Sequence, residues 1–460
     1  MIRLATILII LSSHIAWAAP KVDWKAAEKE AVEYLQQYLR IDTTNPPGNE
    51  TAGAKYLQSL LEKEAIRCAI FEAKPGRGNL YAYIDTGGKK RPLILLNHID
   101  VVPAEKKFWK EDPFSGVLKE GEIWGRGATD TKNLAIAQLM TMLILKRSRM
   151  KLNRTVIFLA VADEEAGTGV GAEWITKAHP ELVQKAEFLI NEGSVIRTLP
   201  DGRVSYYGVS PAEKAVCWLE LKASGPAGHG AFPPFEPTAL QKLVVGINRI
   251  TEYHPQTEVV PAVEKFFADI AKQQTPTMKM KFANIRESLK DPTFAQEIMK
   301  QPSYASILHN TIALTSVSTP IAKVNVIPSE ATATLDCRLL PGANPTDFVA
   351  KLQGLLEGTG VEIRPISIGE SSSSPINTDL FKAIARVAGQ YDKGALVTTP
   401  LLASSTDSVY FRKLGITCYG FEPFKLTEDQ ELGHAHNERI AVSSFVGGVK
   451  RMLDLVLAMQ

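Results

Sequence analysis

An α/β fold, with a largely parallel sheet flanked by helices and interrupted by a smaller α+β lid domain, is predicted by three features of the sequence. Uninterrupted apolar segments such as Val156-Ile157-Phe158-Leu159-Ala160-Val161-Ala162 read as strands buried on both faces, and such strands belong to parallel sheets covered by helices. From about Ala212 the pattern changes to alternation of apolar and polar residues, as in a half-exposed antiparallel sheet. After a serine-rich stretch, Ser371 to Ser374, the first pattern resumes. The expected division is a signal segment over 1–18, a main domain in two parts over 19–211 and 368–460, and an inserted lid or dimerisation domain over 212–367.

Taken in order, Met1-Ile2-Arg3, the apolar run Leu4 to Ile10 and the small-residue end Ala16-Trp17-Ala18 have the layout of a secretory signal cleaved after Ala18. The run is too short to make a good membrane span. Helices are predicted from Trp24 to Leu39, where Val32, Leu35 and Leu39 recur at helical spacing, and from Thr51 to Ile66. Between them, Asp42-Thr43-Thr44-Asn45-Pro46-Pro47-Gly48 breaks the chain. Strands follow at Cys68 to Glu72, Leu80 to Ile84 and Leu93 to Leu96, the last ending at Asn97-His98-Ile99-Asp100. A glycine-punctuated loop, Gly121 to Lys132, leads into a helix from Leu134 to Leu145 and places Asp130 near its start.

The apolar strand 156–162 then stops at Asp163-Glu164-Glu165, and Phe188-Leu189-Ile190 ends in Asn191-Glu192-Gly193. In the inserted part, strands are expected at Ala215 to Leu221, Ala331 to Leu339 and Val361 to Ile366, and helices at Thr238 to Ile250 and Phe348 to Leu356. The polar stretch Glu252 to Asn310, helical in places, resists assignment. A helix at Leu380 to Tyr391, a strand at Ile416 to Gly420 and a long helix at Val442 to Met459 complete the main domain.

With 460 residues, 45% hydrophobic and 22% charged, the chain has ordinary globular composition and enough length for two cores. A formal net charge of +2 without long runs of one sign gives no footprint for nucleic acid or an anionic membrane, so a small molecule or peptide is the expected partner. Export to a secreted or periplasmic location implies an oxidising compartment. Yet Cys68, Cys217, Cys337 and Cys418 are scattered, without metal spacing or a dense disulfide framework, and read mainly as buried thiols.

Three carboxylates at the end of a buried strand are costly unless the site uses their charge. An acidic surface turn is the alternative for that stretch alone. It does not explain why separate strands deliver His98, Glu164 with Glu165, and Glu192 to one edge of one sheet, where open α/β folds bind ligands. Together His98, Asp130, Glu165, Glu192 and His434 supply two imidazoles and three carboxylates, a set suited to two Zn2+ ions and tolerated by Co2+ or Mn2+, with one carboxylate shared. Paired metals roughly 3.5 to 4 Å apart can hold a bridging water, lower its pKa and polarise a carbonyl. Glu164, beside a proposed ligand, is then the expected general base.

The sequence here resembles the M20 family of zinc metallopeptidases and amidohydrolases, particularly its carboxypeptidase S-like and N-acyl-amino-acid hydrolase branch. The matching motifs are His98-Ile99-Asp100, Gly125 to Lys132, Asp163-Glu164-Glu165, Asn191-Glu192-Gly193 and Gly433-His434-Ala435-His436-Asn437-Glu438. The resemblance implies that Asp130 bridges two metals, that His98 and Glu192 complete one site, and that Glu165 and His434 complete the other. Asp100 would orient His98, and His434 rather than His436 would be the terminal ligand. It further implies oxyanion stabilisation by His229 and binding of a substrate carboxylate by Arg338 with Asn325 nearby.

Two departures stand out. Thr131 and Asn133 replace residues common around the Asp-x-Lys motif, and Val409 follows Thr406-Asp407-Ser408 where a basic residue is common. The expected activity is hydrolysis of an amide next to a free carboxylate, in a peptide or an N-acyl amino acid, with a homodimer possible. An exported two-domain peptide-binding protein without catalysis is the alternative; a Gly-x-Ser-x-Gly serine hydrolase motif is absent.

Overall fold

The computed structural model describes residues 22–460. The expected signal segment lies outside the described residues. Six strands form the central sheet, in the order Arg67–Glu72, Gly78–Ile84, Arg154–Val161, Lys90–His98, Phe188–Asn191 and Thr417–Gly420. The first two join antiparallel, and every pairing from Arg154–Val161 onward is parallel. The expected largely parallel sheet is present.

Its strands alternate their contacts between two helical layers, as the period of two dictates. Leu93 and Leu95 face a core shared with the helices Trp24–Leu39, Lys132–Ser148 and Val442–Ala458. Ile94 and Leu96 face the other layer, with Ile175 of helix Ala172–Ala178 and Phe411 of helix Ser408–Arg412. Burial on both sides explains why these strands read as continuous apolar runs.

Because four neighbouring strands run in the same direction, their carboxyl ends open along one edge. His98 closes one strand, Asp163 to Glu165 follow a second, Glu192 follows a third, and Phe421-Glu422 follow the fourth. Two glycines permit the close approaches made there. A Cβ on Gly171 would sit 1.7 Å from the Ala162 carbonyl oxygen, and one on Gly420 would sit 2.7 Å from the Glu192 carbonyl oxygen.

A separate four-stranded antiparallel sheet has the order Thr311–Ser318, Glu330–Leu339, Ala215–Ser224 and Val361–Ile368. In Glu330–Leu339 the residues Ala331, Ala333, Leu335, Cys337 and Leu339 are buried and their neighbours are not. The buried face packs on helices Ala239–Thr251 and Pro345–Leu355 through Leu243, Ile250, Phe348 and Leu352. Thr238 and Gln241 form a reciprocal cap at the start of the first of these helices.

The stretch 252–310, unassigned from sequence, folds as short helices, among them Pro261–Ile270, Pro276–Ala283, Pro292–Met299 and Pro302–Leu308. Proline at the first turn of each starts the helix where no amide partner is lost. Their aromatic core of Phe266, Phe267, Phe282 and Phe294 is continuous with Ala212, Leu340 and Leu401. This segment therefore packs where the two sheets meet. The serine-rich stretch is also more ordered than a linker: Ser372–Ser373 pairs with Ala212–Glu213, so the two chain crossings run side by side.

Candidate metal centre and active site

The strand-end acids converge with His434 from a loop between Glu428–Gln430 and Arg439–Ala441. The Asp130 carboxylate lies between the two imidazoles. Its Oδ1 is 3.1 Å from His98 Nε2, and its Oδ2 is 3.3 Å from His434 Nε2. His98 Nε2 is also 3.7 Å from Glu192 Oε1, and His434 Nε2 is 3.0 Å from Glu165 Oε2. All five expected ligands are thus brought together as two imidazole–carboxylate groups sharing Asp130.

The donor set fits divalent metal. His98, Asp130 and Glu165, and likewise His98, Glu164 and Glu192, present ligand atoms within 4.8 Å of one another. Glu165 Oε1 and Glu192 Oε1 are buried without a hydrogen-bond donor. An unsatisfied buried carboxylate oxygen is costly, and a cation removes the cost.

Electrostatics carry the same signature. Burial lowers the basicity of His98, but Glu192, Asp100 and Asp130 outweigh it and hold the pKa well above the usual histidine value. The carboxylates of Asp130 and Glu165 raise His434 to about 10. Burial, reinforced by Glu192, pushes Glu164 well above the ordinary carboxylate range. For Asp130, hydrogen bonds from His434 and His98 overcome burial and lower the pKa.

The supports around this cluster are buried and specific. His98 Nδ1 lies 2.9 Å from the backbone carbonyl of Asp100 and 3.6 Å from its carboxylate Oδ1. The orienting contact is therefore made by the peptide oxygen more closely than by the expected carboxylate. The Asp100 carboxylate accepts the amides of Glu164 (3.2 Å) and Glu165 (3.1 Å) and the side-chain amide of Asn45 (2.8 Å), which fixes the acidic turn.

Asp163, left without a role by the sequence, anchors that turn from the other side. It has the positive φ of 72° and accepts from Arg77 Nη2 (3.0 Å), the Thr168 hydroxyl (2.9 Å) and the Val170 amide (3.1 Å). Arg77 also makes a paired contact to Glu50 at 2.6 and 2.7 Å.

Glu438 is a second support that sequence reasoning did not single out by role. Its buried carboxylate accepts the amides of Gly127, Thr129 and Asp130 and pairs with Arg126 at 2.9 Å, so it cradles the loop that presents Asp130. Lys132, buried beneath the loop, donates to the carbonyls of Tyr38 and Ile41. The Asn-Glu pair after His434 and the Asp-x-Lys spacing were the signals available for these roles.

The cleft beside the cluster has a volume of about 840 Å³ and is walled on one side by the central sheet's carboxyl edge. Val216, Trp218, Arg338 and Ile368 of the second sheet wall the other side. Arg338 reaches this wall while bound to Asp336 through Nε (2.7 Å) and Nη2 (3.1 Å). Asp407 and Glu422, neither assigned from sequence, also line the cleft and are strongly buried. Burial, with Glu192 adding, raises the Glu422 pKa well above the usual range.

His229 and Asn325 are not brought to this cleft. They are exposed near a short ladder pairing Gly228–His229 with Val326–Ile327, beside the exposed Phe232, Phe235 and Val324. The Gly230 amide donates to the Asn325 carbonyl at 2.9 Å, so the two residues do share a locality. His436 packs against Phe108 with ring centroids 5.0 Å apart, and His434 rather than His436 lines the cleft.

Comparison with known proteins follows this geometry. The chain is 25% identical over 450 residues to human N-fatty-acyl-amino acid synthase/hydrolase PM20D1, covering 94% of this chain and 88% of that protein. It is 27% identical over 439 residues to rat Aminoacylase-1A, covering 94% and 96%. The fold matches an M20 family metallo-carboxypeptidase from Sulfolobus solfataricus with a TM-score of 0.73 at 23% identity, covering 94% of this chain and 98% of the other. Human carnosine dipeptidase 1 matches with a TM-score of 0.72 at 16% identity, covering 96% and 99%. Residues 94–458 match peptidase family M20/M25/M40, and the chain belongs to that family of hydrolases.

Proposed function

We propose that this protein is a zinc-dependent amidohydrolase that cleaves an amide next to a free carboxylate, as a carboxypeptidase or an N-acyl-amino-acid hydrolase. The observation that carries the reading is the Asp130 carboxylate set between His98 with Glu192 and His434 with Glu165. Those five residues would hold two divalent ions, which supply Lewis acidity that polarises a carbonyl and makes water nucleophilic near neutral pH. The names of the relatives, an N-fatty-acyl-amino acid synthase/hydrolase and an aminoacylase, support amide chemistry on amino-acid derivatives.

In this reading Glu164 accepts the proton of the attacking water on its carboxylate and returns it to the nitrogen of the leaving amine. Burial, with Glu192 adding, raises the Glu164 pKa above the ordinary carboxylate range, the direction that strengthens it as a proton acceptor. Asp100 and Asp163 keep Glu164 in position through the turn that both of them anchor. Arg338 keeps Nη1 free of any hydrogen bond among the described residues and is assigned to the substrate carboxylate. The product is a free amino acid.

His229 is assigned to oxyanion stabilisation, and its exposed position calls for delivery to a cleft. Because apolar Phe232, Phe235 and Val324 flank it, we assign that delivery to a second copy of the chain in a homodimer. We also place the protein outside the cytoplasm, secreted or periplasmic, on the signal-like character of residues 1–18.

The test is hydrolysis of a panel of dipeptides and N-acyl amino acids before and after removal of metal with a chelator. The expected result is turnover that vanishes on chelation and returns with zinc. Turnover unaffected by chelation, or saturable binding without hydrolysis in the metal-loaded protein, contradicts the reading; the second outcome supports a binding protein.

A further inference from the structure

Glu422 stands two residues beyond the carboxyl end of Thr417–Gly420 and forms part of the cleft wall next to Glu192. Its residue is 9% exposed. Oε1 accepts the Gly193 amide at 3.3 Å, and among the described residues no donor reaches Oε2. None of the cations of the cleft wall forms an ion pair with Glu422: Arg197 pairs with Glu431 at 2.6 Å, Arg338 with Asp336 at 2.7 Å and Lys413 with Glu370 at 3.4 Å. A buried carboxylate without a cationic partner is costly to keep.

Metal ions do not remove that cost. Asp130, Glu165 and Glu192, with His98 and His434, are the groups assigned to the two ions, and Glu422 lies outside that set. Asp407 is a less suitable receptor for a ligand, because its unpartnered Oδ2 is sealed within the protein.

We propose that Glu422 is the receptor for an ammonium group on the substrate, and that it selects amino acids acylated by another amino acid, with a free amine, over simple N-acyl amino acids. This rests on the amidohydrolase reading above and names its substrate class. A substrate amine donates to Oε2, so that the charge brought into the cleft offsets the charge buried there. Glycyl-leucine and N-acetyl-leucine isolate the effect, because they share the amide and the carboxylate and differ by the ammonium alone.

The experiment measures calorimetric binding of both compounds to the zinc-loaded Glu164→Gln protein, which retains bound substrate for an equilibrium reading. Glycyl-leucine is expected to bind about 10- to 100-fold more tightly, the range of a charge-assisted hydrogen bond. Adding Glu422→Gln, or Glu422→Ser as a smaller neutral replacement, is expected to bring the ratio close to one. Equal affinities in the Glu164→Gln protein, tighter binding of N-acetyl-leucine, or a ratio that survives both Glu422 substitutions overturns the proposal. Turnover of N-acetyl-leucine by the wild-type protein reports on the hydrolase reading separately, so the two can fail independently.

Discussion

Asp163 anchors the turn that carries Glu164 and Glu165. Its carboxylate shares Arg77 with Glu50, and all three side chains are largely enclosed. Removing one member of a buried ion pair leaves an uncompensated charge, at a cost of about 3–5 kcal/mol. Arg77→Met is therefore expected to lower stability by about that amount in urea denaturation, with a larger loss of turnover than of fold because the acidic turn loses its anchor. A change below about 0.5 kcal/mol, the ordinary scale of surface substitutions, would contradict this role. Glu438→Gln acts on the other support. It weakens acceptance from the Gly127, Thr129 and Asp130 amides, and metal content measured after dialysis is expected to fall while the helical signal in circular dichroism persists.

At the scale of elements, the parallel strands do the assembling: each ends in an acid or histidine, and common direction brings those ends to one edge. The close passage behind the acidic turn depends on Gly171, and Gly171→Ala would force a Cβ to within 1.7 Å of a carbonyl oxygen. The expected outcome is a protein with a lower Tm and displaced Glu164 and Glu165, read as reduced metal affinity; unchanged Tm and affinity would show that the turn tolerates the added atom. Strands and long helices were legible in the sequence because burial on one or two faces leaves a period, as in Leu93 to Leu96 and Ala331 to Leu339. Residues 252–310 were not, although Val263, Phe266, Phe267 and Ile270 do recur at helical spacing, because their helices are short and their core is completed by distant residues such as Leu401. The candidate ligands were visible as motifs at strand ends. Glu422 was not, because it became notable only when the fourth strand placed it beside Glu192 and left its second oxygen unpartnered.

For the whole molecule, the paired crossings Ala212–Glu213 and Ser372–Ser373 connect the sheet that bears the acids to the sheet that bears Arg338. Lys214 fastens this junction by donating to the carbonyls of Ser306 (2.9 Å) and His309 (3.0 Å) and to the Thr311 hydroxyl (3.1 Å). Burial, with Arg338 adding, lowers its pKa to about 7, whereas lysine in an unfolded chain titrates near 10.4. The unfolded chain binds more protons between those values, so this residue's contribution to stability grows as pH rises from about 7 to about 10 and is lost as pH falls through 7. The stability difference between the wild type and Lys214→Met, followed by urea denaturation across that window, is expected to widen with pH; a constant difference would contradict a depressed lysine. Assembly is tested by mixing subunits. Inactive His229→Ala and inactive Glu164→Gln chains, refolded together, are expected to recover part of the wild-type turnover if His229 serves a partner's cleft, and no recovery would place its action within one chain.

The central claim, that the shared acid–imidazole cluster carries metal-dependent hydrolysis with Glu164 moving the proton, is tested most directly by turnover of the Glu164→Gln protein with its metal content measured in the same sample. The account predicts wild-type metal content with turnover reduced by about 10²- to 10⁴-fold, the usual contribution of a general base. Near-normal turnover in the metal-replete variant would contradict it.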